Sequence, residues 1–195
     1  MDATKRLLLM AMVAIPLVSC GGPSVYMKPT AALSMPDANS SVVRFIRPSR
    51  FVGAARDYAI LDGEKAIGAL SSGAQFDYVT TPGKHLFIAP GFRGVGPYFL
   101  EADLAPGKKY YVLVSSHQED LSTRRVLLTP ITRSTEQWKE VPTYEKDLTR
   151  LEPDRASLEA WSAQHSDEIK RLLRNYQETW KHERQWATLA PDDGV

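Results

Sequence analysis

The chain has a single cysteine, Cys20, among its 195 residues, so no disulfide can form within it and the fold must rest on its core. It also lacks any apolar run of the about 20 residues needed for a membrane-crossing helix. Its formal charge of +1 excludes the strongly basic surface expected of an electrostatic nucleic-acid binder. Catalytic signatures are missing too: there is no G-x-S-x-G, no H-E-x-x-H and no P-loop. The histidines, His85, His117, His165 and His182, lack metal-ligand spacing, so neither a metal nor a cofactor is expected. His117 with Glu119 and Asp120 reads as a solvated polar turn, His85 as a strand-end surface residue, and His165 as an edge or core residue. No segment repeats at a solenoid period.

What is present begins at the amino end. Lys5-Arg6 precedes Leu7 to Val18, a stretch without charge, and small residues follow. That is the three-part layout of a secretory signal. Leu17-Val18-Ser19-Cys20 resembles the lipobox of bacterial lipoproteins. The resemblance implies cleavage between Ser19 and Cys20, diacylglyceryl attachment to the Cys20 thiol and acylation of the freed amine. A two- or three-chain anchor is effectively stable, because each buried CH₂ contributes about 0.8 kcal/mol. Gly21 stands where Asp would favour inner-membrane retention, which points by the same resemblance to an outer-membrane lipoprotein facing the periplasm.

Four segments follow from this pattern: a signal peptide over 1–19, a lipidated cysteine and flexible tether over 20–40, a β domain over 41–133 and a helical extension over 134–190. The tether, rich in Gly, Pro, Ser and Ala, would reach roughly 25 Å as a flexible coil. Lys and Arg exceed Asp and Glu over 21–133, and the balance reverses over 134–195. Such asymmetry suits a basic β region beside an acidic helical tail.

Residues 41–133 carry strand signals. Val42 to Arg47 is β-branched and aromatic, and Pro48 ends it. Asp62-Gly63 sits between Tyr58–Leu61 and Lys65–Leu70 as a hairpin signal, with either a two-residue or a slightly longer loop. Gln75–Thr80, His85–Ala89, Tyr98–Leu104, Lys109–Val114 and Arg125–Ile131 bring the expected total to about seven short strands, a small antiparallel β-sandwich. Tyr110 and Tyr111 point to opposite faces of one strand, so one should be core and the other exposed.

Beyond Arg133 the period becomes helical. Ser134-Thr135-Glu136-Gln137 fits a capping box. Leu158, Trp161, His165, Ile169, Leu172, Tyr176 and Trp180 form one apolar stripe. A continuous helix from Asp154 to Ala187 would measure about 50 Å, longer than a sandwich about 35 Å across, so it overhangs or breaks. The stripe keeps phase across Ser166, favouring a continuous or gently bent helix. A break would find an N-cap and acidic first turn in Ser166-Asp167-Glu168.

Four motifs in order carry a family resemblance: Arg47-Pro48-Ser49-Arg50-Phe51-Val52-Gly53, Leu61-Asp62-Gly63-Glu64-Lys65-Ala66-Ile67-Gly68, Pro82-Gly83-Lys84-His85 and Ala105-Pro106-Gly107-Lys108-Lys109-Tyr110-Tyr111-Val112. Over Val42 to Ser115 the chain resembles the bacterial lipoprotein family filed as domain of unknown function 2846. The resemblance implies a small transthyretin-like sandwich at the cell envelope, similar also to PEGA-type surface domains, and no catalytic residues.

Two groups of side chains are candidates for partner contacts. Arg44, Arg47, Arg50 and Arg56 suit phosphate headgroups, glycan or an acidic partner, or else form a solvated strand edge, which is the preferred reading. Trp161 and Trp180, with Trp186, suit packing on the sandwich or on a partner helix, in preference to an interfacial membrane helix. The function expected is a non-catalytic binding or scaffolding module, anchored in the membrane, with an envelope protein partner or self-association through the C-terminal helix. The alternatives are a lipoprotein subunit of a type VI-like secretion apparatus and, last, an unrecognised hydrolase.

Overall fold

The computed structural model describes residues 24–49, 56–91, 95–118 and 124–195. Its central strand is β2 (Ser41–Arg47), and all seven of its residues are buried. A continuous buried run is what a strand covered on both faces requires. β2 pairs antiparallel with β5 (Ala74–Thr80) and parallel with β9 (Lys109–Gln118). With β1 (Met27–Pro29), β7 (Val95–Gly96), β10 (Arg124–Ile131) and β11 (Thr149–Pro153), these make one sheet in the order β1-β11-β5-β2-β9-β10-β7. The second sheet runs β12-β8-β6-β3-β4, from β3 (Tyr58–Asp62), β4 (Lys65–Leu70), β6 (Gly83–Ala89), β8 (Tyr98–Leu104) and β12 (Ala187–Leu189).

The architecture is mainly β with helices following, as expected, but the two sheets together hold more than the expected seven or so strands, and both are mixed. β2–β9, β5–β11, β7–β10 and β8–β12 are parallel pairs. Long connections make this possible, because parallel neighbours need a crossover rather than a tight turn.

Tight turns close the antiparallel pairs. Asp62 faces Lys65, so the β3–β4 hairpin has the two-residue loop Gly63-Glu64, and Gly63 adopts φ 56°. This left-handed conformation is open to glycine without steric cost. Between the sheets lies the main core, where Phe45 stacks on Phe76 at 5.1 Å and meets Phe87 edge-on at 5.4 Å.

Both outer faces are also covered. Over the first sheet lie a 3₁₀ turn (Glu136–Glu140) and α1 (Val141–Asp147), which pack Val141 and Trp138 against Ile46, Tyr111 and Ile131. Tyr111 is therefore buried along with Tyr110, contrary to the expectation of one exposed ring. The expected capping box does not form: Thr135 is the N-cap residue without a side-chain cap, and its hydroxyl donates to the Thr132 carbonyl instead.

Over the second sheet lie α2 (Arg155–Gln164), α3 (Ser166–Asn175), a π-helical turn (Tyr176–Trp180) and a short α4 (Lys181–Glu183). The helical stripe is divided at His165, with φ −106° and ψ 12°. His165, not Ser166, occupies the boundary position, and its ring Nδ1 pairs with the Trp161 carbonyl at 2.8 Å. The backbone bonds His165 N to Trp161 O and Ile169 N to His165 O persist across the break. The two helices thus run in tandem.

The segment boundaries shift accordingly. Residues 24–29 belong to the sandwich rather than to a tether, since Met27 is in the main core and β1 pairs with β11. The region after 133 supplies two strands as well as helices. Residue 195 pairs with Lys109 through both backbone groups at 2.9 Å.

All the principal strands run between two ends of the molecule. At one end, Arg47 faces Ala74 and bonds the Leu70 carbonyl, and Ser24 bonds Ser71. At the other, Ser41 faces Thr80, Gly83 faces Leu104 and Val42 faces Lys109.

Candidate functional site

A cleft of about 510 Å³ opens at the second of these ends. β6 brings Lys84 and His85, β8 brings Glu101 and Asp103, the π-helical turn brings Tyr176, and α4 brings Lys181. Residues 188–191 complete the wall through β12 and the turn after it. The Tyr176 hydroxyl donates to Glu101 Oε1 at 2.5 Å, and Lys181 Nζ lies 3.7 Å from the same oxygen. Burial raises the Tyr176 phenol above its ordinary value, and the Glu101 hydrogen bond adds to this. Tyr176 remains protonated and donates.

His85 is held from both sides. Nδ1 lies 2.7 Å from Asp62 Oδ2, and Nε2 lies 2.9 Å from the Thr81 carbonyl. Both partners are acceptors, so the ring satisfies both only as the doubly protonated imidazolium. The Asp62 hydrogen bond raises its pKa, against the opposing effect of burial. The ring also stacks on Phe87, 5.8 Å away and 5° from parallel. Tyr78 donates to Asp62 Oδ2 at 3.0 Å, and burial pushes its phenol up to about 12. With both nitrogens committed, His85 offers no lone pair to a metal or a substrate proton. The cleft therefore presents fixed charges of both signs, Lys84 and His85 beside Asp103 and Glu101, which suits non-covalent recognition of a polar partner segment.

Two of the four arginines expected at an exposed edge lie elsewhere, while Arg56 is exposed. Arg44 is 2% exposed on the outer face of the first sheet, under α1. It bonds Asp77 twice and Glu145 Oε1 once, at 2.5 Å, and Tyr111 donates to that same Glu145 oxygen at 3.0 Å. Burial alone would lower the Arg44 pKa, but the Asp77 and Glu145 contacts raise it overall. Arg47 is buried too, donating to the Arg56 and Leu70 carbonyls, with its guanidinium 3.8 Å from the Tyr58 ring centroid. The physical reason is that β2 is central, not an edge. Neither side chain offers a surface to a partner.

Trp161 and Trp180 are half-buried and pack towards the second sheet with Leu61, Ile88 and Phe99. Trp161 stacks on His165 at 4.3 Å, and Trp180 lies 5.9 Å from Phe99. Trp186 sits 4.9 Å from Phe99, and the Arg184 guanidinium covers its outer face at 3.7 Å. Ser19, Cys20 and Arg50 lie outside the described residues. No helix among the described residues is long and apolar enough to cross a membrane. Among the described residues no cluster of His, Cys, Asp and Glu has a metal-binding arrangement.

No local sequence pattern marks the cleft. Its walls come from positions between 84 and 191, and no local pattern joins Glu101 to Tyr176. The one available signal was the pair of a hairpin Asp62 and a turn-proximal His85, both of which fall at turns on the same end of neighbouring strands.

No family model matches the chain, and no curated protein or solved structure is significantly similar to it. Fold and site together define a β-sandwich-like protein with a helical cover on each sheet and a charged cleft at one end.

Proposed function

We propose that this protein is a lipid-anchored lipoprotein of the bacterial envelope whose sandwich is a non-catalytic binding or scaffolding module, facing the periplasm from the outer membrane. The observation that carries the reading is Leu17-Val18-Ser19-Cys20 following a basic start and an apolar run. Resemblance over Val42 to Ser115 to the domain of unknown function 2846 family supports the same location. The binding role draws support from the cleft, where Glu101 is fixed by Tyr176 and His85 by Asp62, so that charges stand oriented before a partner arrives.

Metabolic labelling with an alkyne fatty acid tests the anchor. The native chain takes the label and fractionates with outer membrane, and Cys20→Ala loses both. Normal labelling of Cys20→Ala overturns the anchoring. For the binding role, a photocrosslinker replacing Lys84 in the lipidated protein captures one reproducible envelope partner, and Thr188→Trp in the cleft wall suppresses the capture. Crosslinking from Lys84 to nothing, across growth conditions, overturns that half of the reading.

A further inference from the structure

By Ser24, four residues after Cys20, the chain is held in the fold. Ser24 is 4% exposed, its N–H donates to Ser71 Oγ at 3.2 Å, and its carbonyl accepts from Met27 N at 2.9 Å. Met27 lies in the main core and is 3% exposed. Residues 24–27 are therefore fixed in the sandwich and do not act as a spacer.

The distance this leaves is short. From Cys20 to Ser24 the chain spans at most about 14 Å, even fully extended at about 3.5 Å per residue. One leaflet's polar layer is about 5–7 Å thick, half the difference between a bilayer of about 40–45 Å and its hydrocarbon core of about 30 Å. The acyl chain on the Cys20 amine starts at the hydrocarbon edge and holds the Cys20 backbone there, so the link must first cross that layer. About 7–9 Å then remains, less than the about 10 Å diameter of one helix. Nothing the size of a protein element fits beneath the domain.

Resting on the lipid-anchor reading above, we infer that the Ser24 end of the sandwich lies directly against the leaflet holding the anchor, and that the cleft at the opposite end faces away from it. The side chains at the Ser24 end suit this surface. Val25 is 81% exposed immediately after the buried Ser24. Tyr26 and the exposed Arg56, with the exposed Asp57 beside it, line a mostly apolar groove of about 290 Å³ at that end. Tyrosine sits well at headgroup depth, and an arginine there meets lipid phosphates. Strand direction sets the rest: β2 carries the chain from Ser41 at the far end to Arg47 at the near end, about 20 Å for seven residues at about 3.3 Å each. Lys84, at the start of β6, stands at that far end.

Because acylation consumes the Cys20 thiol, one added cysteine in the full lipidated protein gives a single labelling site. Val25→Cys and Lys84→Cys, each exposed in the fold, receive the same fluorophore after reconstitution into phosphatidylethanolamine–phosphatidylglycerol vesicles. A fraction of the lipid carries a headgroup-level nitroxide quencher. Strong quenching is expected at 25 and none at 84. Arg56→Cys repeats the near-end measurement should Val25→Cys fold poorly. Equal quenching at both ends, no quenching at either, or stronger quenching at 84 overturns the orientation. Mass spectrometry of the same samples separates the two claims. Acylated protein with the wrong quenching pattern sinks the orientation alone, whereas an unacylated Cys20 sinks the anchor and the orientation with it.

Discussion

Arg44 and Asp77 stand directly opposite each other on β2 and β5 and are joined by two parallel hydrogen bonds, Nε to Oδ1 at 2.6 Å and Nη2 to Oδ2 at 2.8 Å. Asp77 Oδ2 also accepts from the Ser34 N–H at 3.0 Å, and Glu145 of α1 closes on the remaining side of Arg44. The pair thus ties the central strand, its neighbour, the segment after β1 and the helix over the sheet. Gln75 strengthens the attachment, donating through Nε2 to the carbonyls of Tyr144, Glu145 and Leu148 at 3.0–3.3 Å.

Removing the guanidinium leaves Asp77 charged under α1 without its partner. Arg44→Met is expected to lose about 3–5 kcal/mol of stability, the usual cost of breaking one side of a buried pair. Arg44→Met with Asp77→Asn should recover part of it, since the amide oxygen still accepts from Ser34. Glu145 is 33% exposed, so Glu145→Gln should cost under about 1 kcal/mol. Urea titration gives all three values, and an Arg44→Met protein as stable as its parent would refute the account.

Gly68 lies under the Phe76 ring. A Cβ at this position would stand 2.6 Å from Phe76 Cζ, and Phe76 is held by its stack on Phe45. Gly68→Ala is expected to destabilise by about 1–3 kcal/mol through overpacking. Combined with Phe76→Leu the effects should not add, because the smaller side chain vacates the clash. Thermal melts of the two single variants and the double variant check this.

His85 makes stability depend on pH in a definite direction. Its folded pKa is raised by the Asp62 hydrogen bond above the about 6.5 of the unfolded chain. The contribution is therefore complete below about pH 6.5 and disappears as pH rises through the folded value. Asp62→Asn should lower the His85 pKa and flatten this dependence. NMR titration of the His85 ring reads both, and a His85 pKa at or below the unfolded value would contradict the geometry.

Residues 191–195 fill a place in the sandwich. The Tyr110 hydroxyl donates to the Pro191 carbonyl at 3.0 Å, and residue 195 shares two backbone bonds with Lys109. Deleting 191–195 should cost about 1.5–4.5 kcal/mol, at about 0.5–1.5 kcal/mol for each of three bonds. Tyr110→Phe should cost only its own share. Chemical denaturation distinguishes the two, and an unchanged midpoint after deletion would show that this contact carries no stability.

Asp154 caps α2, accepting from Ser157 N at 3.1 Å while pairing with Lys28. The Lys28 hydrogen bond, followed by that of Ser157, depresses its carboxyl to about 2. Its contribution is present above the unfolded value of about 3.9 and fades as pH falls towards 2. Asp154→Ala should reduce helical signal and weaken the β1–β11 attachment, whereas Asp154→Asn should retain the cap. Hydrogen exchange at α2 amides tests this, and equal protection in both variants would remove the capping role.

Much of the β framework was legible from local chemistry. Val42–Arg47, the Asp62-Gly63 hairpin and the Ala105–Lys108 turn between β8 and β9 each carry their own signal, because side-chain alternation and turn conformation are local properties. β1, β11 and β12 were not legible. They have three to five residues each and exist by pairing along strands already formed. The burial of Arg44 was hidden for a related reason: its carboxylate partners are 33 and 101 residues away. A charged residue in a strand reads as surface unless those partners are known. The cleft was illegible in the same way, since Tyr176 meets Glu101 across 75 residues.

The sequence by itself determined where strands begin and turn, the apolar stripe of the helices, and the lipobox-like stretch that ends at the chain's one cysteine. These depend on residues within a few positions of one another, where steric and hydrophobic periodicities act directly. Tertiary structure alone decided which strands are central, that Arg44 is a buried tie instead of an exposed contact, and that Ser24 and Met27 are already held in the sandwich. Those outcomes depend on desolvation and pairing between distant segments, which no local pattern encodes.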